Sequence, residues 1–449
     1  MNQILQTYAT RAVPRYTSYP TAPHFSDAVG ARDYAAWLAD LDPAEPVSLY
    51  LHVPFCRQLC WYCGCNMKLA SREAPIARYA ETLGREVDLL AYHLPGRMTL
   101  GHLHWGGGTP TALAPGDLEA LMHRVLARFD LATGAELAIE SDPRSLNTPM
   151  IASIGRLGFT RASFGVQEFD PAVQRAINRV QPPEMVRQAV DGLRDVGVNG
   201  INFDLIYGLP YQTVDTLVET IRLSLEMAPD RIALFGYAHV PWMAKKQRLI
   251  DPAALPGAAA RMEQAKAAEE AILAAGYVAI GLDHFAHPHD PLAVAAASGR
   301  LRRNFQGYTT DDAPALLGLG ASSIGRTPLG YVQNLTETGA WARAVESGKL
   351  PVAKGIGLTA EDRLRGEVIE ALMCMAEVDL RDAALRHDLQ PDWFEDAVPG
   401  LGRLARDGLI RWDGSRVAIT HDGRPLMRVV AAAFDAYLQP EAARHSVAV

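Results

Sequence analysis

The sequence lacks the long apolar run that a membrane-spanning helix requires. Its longest stretches without a charged residue, such as residues 99–116, are interrupted by glycine, proline and histidine. A membrane span needs about 20 consecutive apolar residues. The N-terminal residues MNQILQTYATRAVP also contain no apolar segment behind a basic start, so no secretory signal is predicted. These two absences predict a cytoplasmic protein without a membrane span.

An excess of basic residues is also missing. The chain has 449 residues, with 43 Lys and Arg against 51 Asp and Glu, which gives a net charge of −8. This balance argues against a nucleic-acid-binding surface over the whole chain, although a local basic pocket stays possible. Hydrophobic residues make up 49% and charged residues 21%, which is typical of a globular protein. The length predicts about three domains.

Cysteine is scarce and unevenly placed. Four of the five cysteines, Cys56, Cys60, Cys63 and Cys65, fall within ten residues. A secreted disulfide scaffold would distribute its cysteines along the chain. Clustered thiols in a large chain instead indicate a metal or an iron–sulfur cluster. The fifth, Cys374, lies in the apolar sequence EALMCMAEV, and we expect it to be a buried small hydrophobic residue.

From residue 47 onward, short apolar runs alternate with amphipathic segments. The predicted strands are 47–53, 100–105, 136–141, 161–166, 200–207 and 231–237. The predicted helices are 76–92, 117–129, 150–157, 184–196, 214–227 and 258–275. This alternation predicts βαβ units and a parallel sheet. Periodicity alone does not choose between an open doubly wound sheet and an incomplete barrel.

The two ends of the chain do not follow this alternation. Residues 1–45 predict an extended segment with one short helix near 31–41, and the chain becomes mainly helical after about residue 355. Asp413-Gly414 between apolar runs predicts a hairpin, so helices plus a hairpin suggest a winged-helix-like, DNA-binding module. However, residues 355–449 contain 11 Arg and no Lys against 16 Asp and Glu, a net charge of −5. DNA-binding surfaces are basic, so a structural cap is favoured.

The cysteine cluster directly follows the first predicted strand, with the spacing Cys56-x3-Cys60-x2-Cys63. The loops after the carboxyl ends of parallel strands are the usual ligand-binding positions. Three thiolates at this spacing suit one four-iron, four-sulfur cluster whose fourth iron has no protein ligand. The alternative is a structural zinc site with four cysteines. Zinc sites usually use two separated CxxC pairs, so the crowded loop favours the cluster.

The motif CxxxCxxC after a first strand, with Tyr62 before the third cysteine, resembles the radical S-adenosylmethionine (SAM) superfamily. The chain more closely resembles the oxygen-independent coproporphyrinogen III oxidase family, and the matching motifs run in order along nearly its whole length. These motifs are PRYTSYP, CWYCGCN, HWGGGTPT, FGVQ, NR at 178–179, NFDLIYGLP, YAH, DHFA and RNFQGYTT. The resemblance implies an α/β fold, an incomplete (β/α)6 barrel at residues 46–330. It further implies an N-terminal substrate-gating extension at 1–45 and a mainly helical, winged-helix-like cap at 355–449.

The resemblance also implies one [4Fe-4S] cluster and two SAM molecules. Cys56, Cys60 and Cys63 would ligate the cluster. The first SAM would contact Tyr50, Gly107, Glu140 and Ile324. The second SAM would contact Tyr62, Gly108, Thr109, Gln167, Arg179, Asp204 and Ala238. The glycines of HWGGGTPT have a physical reason, since they let the backbone approach a ligand closely.

The activity implied by the resemblance is the anaerobic oxidative decarboxylation of the ring A and B propionates of coproporphyrinogen III, which gives protoporphyrinogen IX. Cys65, Phe305 and Gln306 would lie on the substrate side. Arg302 and Arg303 are further candidates, since arginine is well suited to carboxylates; a solvent-facing turn is the alternative for Arg302. A flavodoxin- or ferredoxin-type donor would reduce the cluster, and we expect a monomer. The alternative function is a non-catalytic, haem-binding chaperone, but Cys65, PRYTSYP and RNFQGYTT favour the enzyme.

Overall fold

A sheet of mainly parallel strands forms the centre of the molecule. The structure is a computed structural model, and it describes residues 7–390 and 392–438. Its strands are β1 (Val47–Val53), β2 (Phe55–Cys56), β3 (Lys68–Leu69), β4 (Thr99–Gly107), β5 (Asp130–Ser141), β6 (Arg161–Gln167), β7 (Gly200–Tyr207), β8 (Arg231–Gly236), β9 (Val278–Ile280), β10 (His284–Ala286), β11 (Arg302–Asn304), β12 (Gly307–Thr309), β13 (Ala315–Leu319), β14 (Ile324–Thr327), β15 (Gly330–Asn334), β16 (Val352–Gly357), β17 (Glu377–Asp379), β18 (Ile410–Trp412) and β19 (Arg416–Ile419).

The order of the strands distinguishes a barrel from a doubly wound sheet. The large sheet has the order β16-β15-β14-β13-β1-β4-β5-β6-β7-β8-β10-β9. All neighbours from β13 to β8 are parallel, and both flanks are antiparallel. The six predicted strands are neighbours in chain order, whereas a doubly wound sheet reverses its order at a switch point. The strands at the two ends of this sheet, β16 and β9, are not paired with each other, so the barrel is incomplete.

Helices follow the parallel strands, as the amphipathic segments predicted. The helices are α1 (Ala31–Ala39), α2 (Ala74–Tyr92), α3 (Pro115–Arg128), α4 (Thr148–Arg156), α5 (Pro171–Ala176), α6 (Pro183–Asp195), α7 (Val214–Leu225), α8 (Ala258–Ala274), α9 (Pro291–Ala297), α10 (Thr338–Glu346), α11 (Ala360–Met375), α12 (Leu380–Arg386), α13 (Val398–Arg406) and α14 (Met427–Ala431). None of the helices in the described part of the chain is long and apolar enough to cross a membrane.

The alternation of side chains along β1 explains how the sheet makes both a core and a site. Val47, Leu49 and Leu51 are fully buried members of the main hydrophobic core. The intervening residues, Tyr50 and His52, are polar and hydrogen-bond to each other. Because successive side chains of a strand point to opposite faces, the apolar set packs on one face while the polar set faces the barrel interior.

Residues 278–357 contain short strands that the periodicity did not predict. Among them, β13 is a seventh parallel strand beside β1. These strands are only three to six residues long, so their alternation is too short to distinguish from loop sequence. Glycine contributes as well, because a Cβ at Gly318 would lie 2.7 Å from the Ile324 carbonyl oxygen. This close approach of β13 and β14 requires glycine, a residue that weakens a strand prediction.

The C-terminal residues form a second hydrophobic core. Helices α11 to α14 pack with a three-stranded sheet of order β17-β19-β18. The predicted hairpin is present, but pairing of Trp412 with Val417 leaves a four-residue connection in place of two residues. The reason is that the Asp413 carboxylate accepts hydrogen bonds from the backbone N–H groups of Ser415 and Arg416, which stabilises the longer turn.

The N-terminal segment packs into this second core. Tyr8, Val13, Tyr16 and Tyr19 are buried there. The Tyr8 hydroxyl donates to Asp407 at 2.6 Å, and the Tyr16 hydroxyl lies 3.0 Å from an Asp435 carboxylate oxygen. The extended segment predicted from the sequence is therefore ordered by contacts with residues nearly 400 positions later in the chain.

Candidate active site at the open end of the barrel

The cysteine loop leaves the carboxyl end of β1 and is fastened to the turn after α5. The Trp61 backbone N–H donates to the Ile177 carbonyl oxygen at 2.9 Å, and the Asn178 side-chain amide donates to the Leu59 carbonyl oxygen at 2.7 Å. Within the loop Cys60 is buried, while Cys65 is exposed to solvent. The loop therefore has a fixed inner part and an open edge.

Two arginines approach the sulfur of Cys60. Arg144 Nη2 lies 3.3 Å and Arg179 Nη1 lies 3.4 Å from Cys60 Sγ. Asp142 joins the two cations, at 2.6 Å from Arg144 and 3.6 Å from Arg179. Burial alone would raise the pKa of Asp142, but Arg179 and Arg144 hold it below its usual value. The loop thus contains a buried sulfur with two cationic hydrogen-bond donors.

The other two predicted ligands also have hydrogen-bond partners. Cys56 Sγ lies 3.5 Å from Thr109 Oγ1, and burial raises the pKa of the Cys56 thiol to about 11. Cys63 Sγ accepts from the Cys65 backbone N–H at 3.4 Å. The hydrogen bond from the Cys65 thiol lowers the pKa of Cys63 to about 6, against the effect of burial.

These residues fit an iron–sulfur cluster better than a single ion. Among residues 7–390 and 392–438, no three His, Cys, Asp or Glu side chains are placed to hold one metal ion. The three sulfurs instead occupy separate positions along one loop, and each has its own hydrogen-bond partner. A four-iron cluster with three cysteine ligands takes one thiolate on each of three irons, and hydrogen bonds to its sulfurs tune its reduction potential.

Beside the loop, three of the four residues predicted for the first SAM lie together. Glu140 Oε2 accepts from the Gly107 backbone N–H at 3.0 Å, and Glu140 Oε1 lies 3.1 Å from His104 Nε2. The ring of Tyr50 stacks on His104, with centroids 5.8 Å apart. Burial alone would raise the pKa of Glu140, but its contacts with His104 and Gly107 lower it. The site therefore presents an ionised, oriented carboxylate.

The glycines of the HWGGGTPT motif leave room at this point. A Cβ on Gly106 would lie 2.6 Å from Glu140 Oε1. At Gly107, where φ is +113°, a Cβ would lie 2.6 Å from the ring of His52. Both glycines are therefore required by close approach, and one of them also by a left-handed backbone.

Ile324, the fourth residue of this set, lies at the start of β14 beyond a tight loop. In that loop, Ser322 Oγ lies 3.3 Å from His52 Nε2, which is the residue that also contacts Tyr50. The buried carboxylate of Glu86 stabilises this loop, because it accepts a hydrogen bond from the Gly320 backbone N–H at 2.7 Å. Burial raises the pKa of Glu86 to about 7.

The set predicted for the second SAM surrounds the other side of the cysteine loop. Gly165 pairs with Asp204 across β6 and β7, and Arg179 Nε donates to the Gly165 carbonyl oxygen at 3.0 Å. Gln167 has a left-handed backbone, with φ of +68°. Burial, followed by the charge of Glu140, raises the pKa of Asp204 to about 7. An unneutralised carboxylate at this position suits a cationic ligand.

Tyr62 and Ala238 of the same set are joined by Gln247. The Gln247 side-chain amide donates to the Tyr62 carbonyl oxygen at 2.7 Å and to the Ala238 carbonyl oxygen at 3.1 Å. Gly108, also of this set, donates its N–H to the Val53 carbonyl oxygen. The structure thus brings the separate motifs of the sequence to one end of the barrel.

Apart from Cys65 in the cysteine loop, the substrate-side candidates lie on the hairpin of β11 and β12. Phe305 packs against Tyr331 with ring centroids 6.2 Å apart, and the Gln306 backbone N–H donates to Asn304. Arg303 lies over the ring of Tyr308 at 4.4 Å. Arg302 is different, because it is exposed and lies 3.7 Å from Glu370. This exposure fits the solvent-facing alternative, and Arg302 also lines a cavity together with Arg303 and Phe305.

Several residues of the site were not singled out from the sequence. His52 and His104 are inward-facing residues of β1 and β4, and the alternation of those strands contained that signal. Arg144 and Asp142 follow β5, the position where ligand-contacting residues are expected. Gln247 lies in a segment without periodicity, and nothing in the sequence distinguished it from other polar loop residues.

The fold and the cysteine loop are those of a radical SAM enzyme. The sequence model of the Radical SAM superfamily matches residues 50–224, and that of the HemN C-terminal domain matches residues 358–426. The chain is 51% identical to the oxygen-independent coproporphyrinogen III oxidase of Bradyrhizobium diazoefficiens, covering 99% of this chain and 98% of that protein. It is 45% identical to the corresponding oxidase of Cereibacter sphaeroides, covering 96% and 95%.

A solved structure agrees with these sequence relatives. The structure described as coproporphyrinogen III oxidase (HemN) from Escherichia coli, a radical SAM enzyme, superposes with a TM-score of 0.91 at 37% identity, covering 95% of this chain and 100% of that one. The chain belongs to the oxygen-independent coproporphyrinogen III oxidase family. A [4Fe-4S] cluster and SAM are the cofactors of this family's radical chemistry.

Proposed function

We propose that the protein converts coproporphyrinogen III to protoporphyrinogen IX without oxygen, by oxidative decarboxylation of the propionates on rings A and B. The proposal is carried by one observation: the cysteine loop with Cys56, Cys60 and Cys63 lies at the open end of the barrel, beside the residues Tyr50, Gly107 and Glu140. The chain is also similar to such oxidases over nearly its whole length. These relatives are oxidases, and they favour catalysis over a haem chaperone.

The residues of the protein bind and orient the reacting groups. The cluster and SAM supply a carbon-centred radical when bound. Cys56, Cys60 and Cys63 hold the cluster in this proposal. Glu140, whose orientation is fixed by His104 and Gly107, contacts the first SAM together with Tyr50, Gly107 and Ile324. A carboxylate fixed in this way recognises a ribose diol without reorganisation.

The second SAM, in the same proposal, occupies the pocket between β6, β7 and the cysteine loop. Asp204 lacks a neutralising ion pair among the described residues, and SAM carries a positive charge. The pocket is completed by Tyr62, Gly108, Thr109, Gln167, Arg179 and Ala238. Two SAM sites match a reaction in which two propionates each lose a β-hydrogen.

On the substrate side, we assign Cys65, Phe305 and Gln306 to contacts with the tetrapyrrole. Cys65 is exposed next to the cluster ligands. Its thiol is too close in sequence to Cys63 to reach another corner of the same cluster. A role toward substrate or proton transfer therefore fits Cys65 better than a role as ligand.

The N-terminal residues 1–45 act as a gate in this proposal. Arg15 of this segment contacts Arg303 of the β11–β12 hairpin, whose Nη2 donates to the Arg15 carbonyl oxygen at 3.4 Å. Deleting residues 1–25 is expected to leave SAM cleavage intact but to reduce decarboxylation per SAM cleaved. Because the deletion also removes buried tyrosines from the second core, the milder Tyr16→Phe variant, which removes only the hydroxyl that lies 3.0 Å from Asp435, serves as its companion. Unchanged yield per SAM in both variants would contradict a gate.

A low-potential one-electron donor, of the flavodoxin or ferredoxin type, supplies the cluster with electrons in this proposal. Residues 240–250 contain Lys245, Lys246 and Arg248 but no acidic residue, and they expose Met243 and Leu249 beside the cysteine loop. Such a surface complements an acidic donor. A Lys245→Glu, Arg248→Glu double variant should slow reduction by flavodoxin hydroquinone, but not by dithionite. Equal rates with flavodoxin would contradict this surface, and Lys266→Glu, Lys349→Glu is the control.

The reaction itself is tested by anaerobic incubation of the purified protein with coproporphyrinogen III, SAM and a reductant. We expect protoporphyrin fluorescence after oxidation of the products. The Cys60→Ala variant should give none, whereas Cys374→Ala, a change at a cysteine outside the loop, should leave it unaffected. Binding of haem without any product would instead support the chaperone. We also propose that the protein works as a cytoplasmic monomer, since exposed thiols persist in a reducing compartment; gel filtration tests the monomer.

A further inference from the structure

Four arginines from three parts of the chain meet at the rim of the barrel. Arg15 comes from the N-terminal segment, Arg261 from α8, Arg303 from β11 and Arg428 from α14. All four lie within electrostatic range of Tyr207 at the end of β7 or of Asp283 before β10. They are separate from the residues assigned to either SAM molecule.

Arg261 packs over Tyr207. Its Cζ lies 5.9 Å from the centre of the Tyr207 ring, and its Nη2 donates to the Tyr237 carbonyl oxygen at 2.9 Å. The remaining Nε is buried and has no hydrogen-bond partner among the residues that the structure describes. A buried N–H without a partner costs free energy, and an acceptor atom of a ligand would remove that cost.

Arg303 also has buried guanidinium nitrogens without a hydrogen-bond partner among the described residues, and it has two of them. Its Cζ stacks on Tyr308, and its Nη2 reaches the Arg15 carbonyl oxygen. Both Nε and Nη1 are buried without a partner in the described chain. These two nitrogens lie on different edges of the guanidinium, so each can donate one charge-assisted hydrogen bond to a separate carboxylate oxygen.

Arg428 and Asp283 complete the group. Arg428 is 8% exposed, and burial together with the charge of Arg15 lowers its pKa to about 10. Asp283 lies 2.7 Å from His284 Nδ1. Burial alone would raise the pKa of Asp283, but His284, Arg303 and Arg15 lower it to about 2. Asp283 thus lies within electrostatic range of Arg15, Arg303 and Arg428, and Glu370 accepts a hydrogen bond from the Arg303 backbone N–H.

We propose that Arg15, Arg261, Arg303 and Arg428 form a carboxylate-binding chamber that holds propionate groups of the tetrapyrrole. The proposal rests on the function proposed above and extends it to the residues that select the substrate. The buried N–H groups of Arg261 and Arg303 that lack partners require an acceptor, and the origin of the four arginines in three parts of the chain suits one ligand with several carboxylates. Binding would also join the N-terminal segment, the barrel and the C-terminal region through one molecule.

The test measures binding separately from turnover. Coproporphyrin III, the stable oxidised form with the same four carboxylates, is titrated into the holoenzyme under anaerobic conditions and followed by fluorescence. Arg261→Gln and Arg303→Gln are each expected to raise the Kd about tenfold to a hundredfold, the range for one charged hydrogen-bonding group. SAM binding and iron content should remain at the wild-type level.

Arg300→Gln is the matched control, because Arg300 is exposed three residues from Arg303 and contacts Ser298. Arg428→Gln should behave like the other chamber variants. If it fails to fold, Arg428→Lys retains the charge and should bind with a Kd between that of wild type and that of Arg303→Gln.

Two results would overturn the chamber. One is a Kd for Arg261→Gln and Arg303→Gln that equals that of Arg300→Gln. The other is a salt-independent Kd in the wild type, since binding to four cations must weaken as ionic strength rises. If the wild type makes protoporphyrinogen IX while these variants bind normally, the chamber is wrong and the proposed function stands. If the wild type binds coproporphyrin III but forms no product, the function is wrong.

Discussion

Buried arginines occur both at the floor of the barrel, the end that holds Arg161, Arg231, Glu136 and Asp290, and at the rim, and both floor arginines form ion pairs with carboxylates. On the floor, Arg161 lies 3.0 Å from Glu136 and 3.1 Å from Asp290, and Arg231 lies 2.7 Å from Asp290. Two cations thus face two anions, and Arg231 Nη2, which makes no hydrogen bond, still lies 3.7 Å from a Glu136 carboxylate oxygen. At the rim, Arg261 and Arg303 retain buried nitrogens without partners in the described chain. The difference is the ion pairing, since the floor cations face carboxylates, whereas Arg261 and Arg303 form no ion pair with another described residue.

Carboxylates show the same difference. Burial alone would raise the pKa of Glu136 on the floor, but Arg231 and Arg161 lower it. At the rim, burial raises the pKa of Asp204 to about 7, since no arginine pairs with it closely enough to offset the effect. An acid that the protein leaves unneutralised at an open site is a candidate to bind a cation. SAM is such a cation.

The largest expected effect is at the cysteine loop of the rim. Cys56→Ala, Cys60→Ala and Cys63→Ala should each abolish the iron–sulfur absorbance and all product formation, because each removes one ligand of the cluster. Cys65→Ser should retain iron but impair turnover. Iron analysis and visible absorbance after anaerobic reconstitution check this. Loss of iron in Cys65→Ser to the same extent as in the other three would make the ligand assignment wrong.

A substitution at the floor of the barrel should lower the stability of the folded protein. Arg161→Met leaves Asp290 and Glu136 with less compensation, and breaking a buried ion pair in this way costs about 3–5 kcal/mol. We expect a lower melting temperature with unchanged SAM affinity in the folded fraction. Calorimetry and SAM titration measure the two quantities. An unchanged melting temperature, or a selective loss of SAM binding, would remove the distinction between floor and rim.

A pH effect of about 3 kcal/mol is expected from Glu86, the buried acid behind the Ile324 loop. Its pKa of about 7 in the folded protein exceeds its ordinary value of 4.5. The folded state therefore binds the proton more tightly, so stability falls as pH rises from about 4.5 to 7 and then levels off. The neighbours that face Glu86 are Tyr34, Tyr79, Asn334 and Trp341.

Glu86→Gln isolates this contribution. The difference in melting temperature between wild type and variant, measured from pH 5 to 8, should change in favour of the variant as pH rises. A difference that is independent of pH would show that Glu86 is ionised throughout this range. The three hydrogen bonds that the Glu86 carboxylate accepts from N–H groups would then be sufficient to keep it charged.

The smallest effect is expected for Asp204→Ala at the rim. The substitution should leave the cluster intact but weaken the binding of the second SAM by about 1.5–3 kcal/mol, the range for a hydrogen bond to a charged group. Product yield per cluster and SAM binding by equilibrium dialysis measure it. Asp204→Asn retains the size and separates charge from packing. Full activity in Asp204→Ala would exclude the second site but not the reaction.

Much of the fold could be predicted from sequence because its main signals are local. The six parallel strands and their helices have clear apolar periodicity, and each was predicted to within a few residues except β5, which begins earlier at Asp130. The strand β13 was missed, because ALLGL is short and contains glycine. The order of the strands is non-local, so periodicity alone could not choose the barrel.

The site was predictable only where motifs mark it. The cysteine spacing and the glycine motif carry chemistry in their sequence, so Cys56, Cys60, Cys63 and Gly107 could be named in advance. Arg261 and Arg428 could not, because an arginine in an amphipathic helix looks the same whether it faces solvent or a cavity. Only the packing of the N-terminal segment on the C-terminal core brings Arg15 to the same rim.

The central claim is that each of two propionates consumes one SAM at this rim. Quantitative anaerobic turnover with coproporphyrinogen III tests it most directly, by counting deoxyadenosine, carbon dioxide and protoporphyrinogen IX in one reaction. The account predicts a ratio of two to two to one, with a monovinyl intermediate at early times. One deoxyadenosine for two carbon dioxide molecules, or deoxyadenosine without any carbon dioxide, would contradict it.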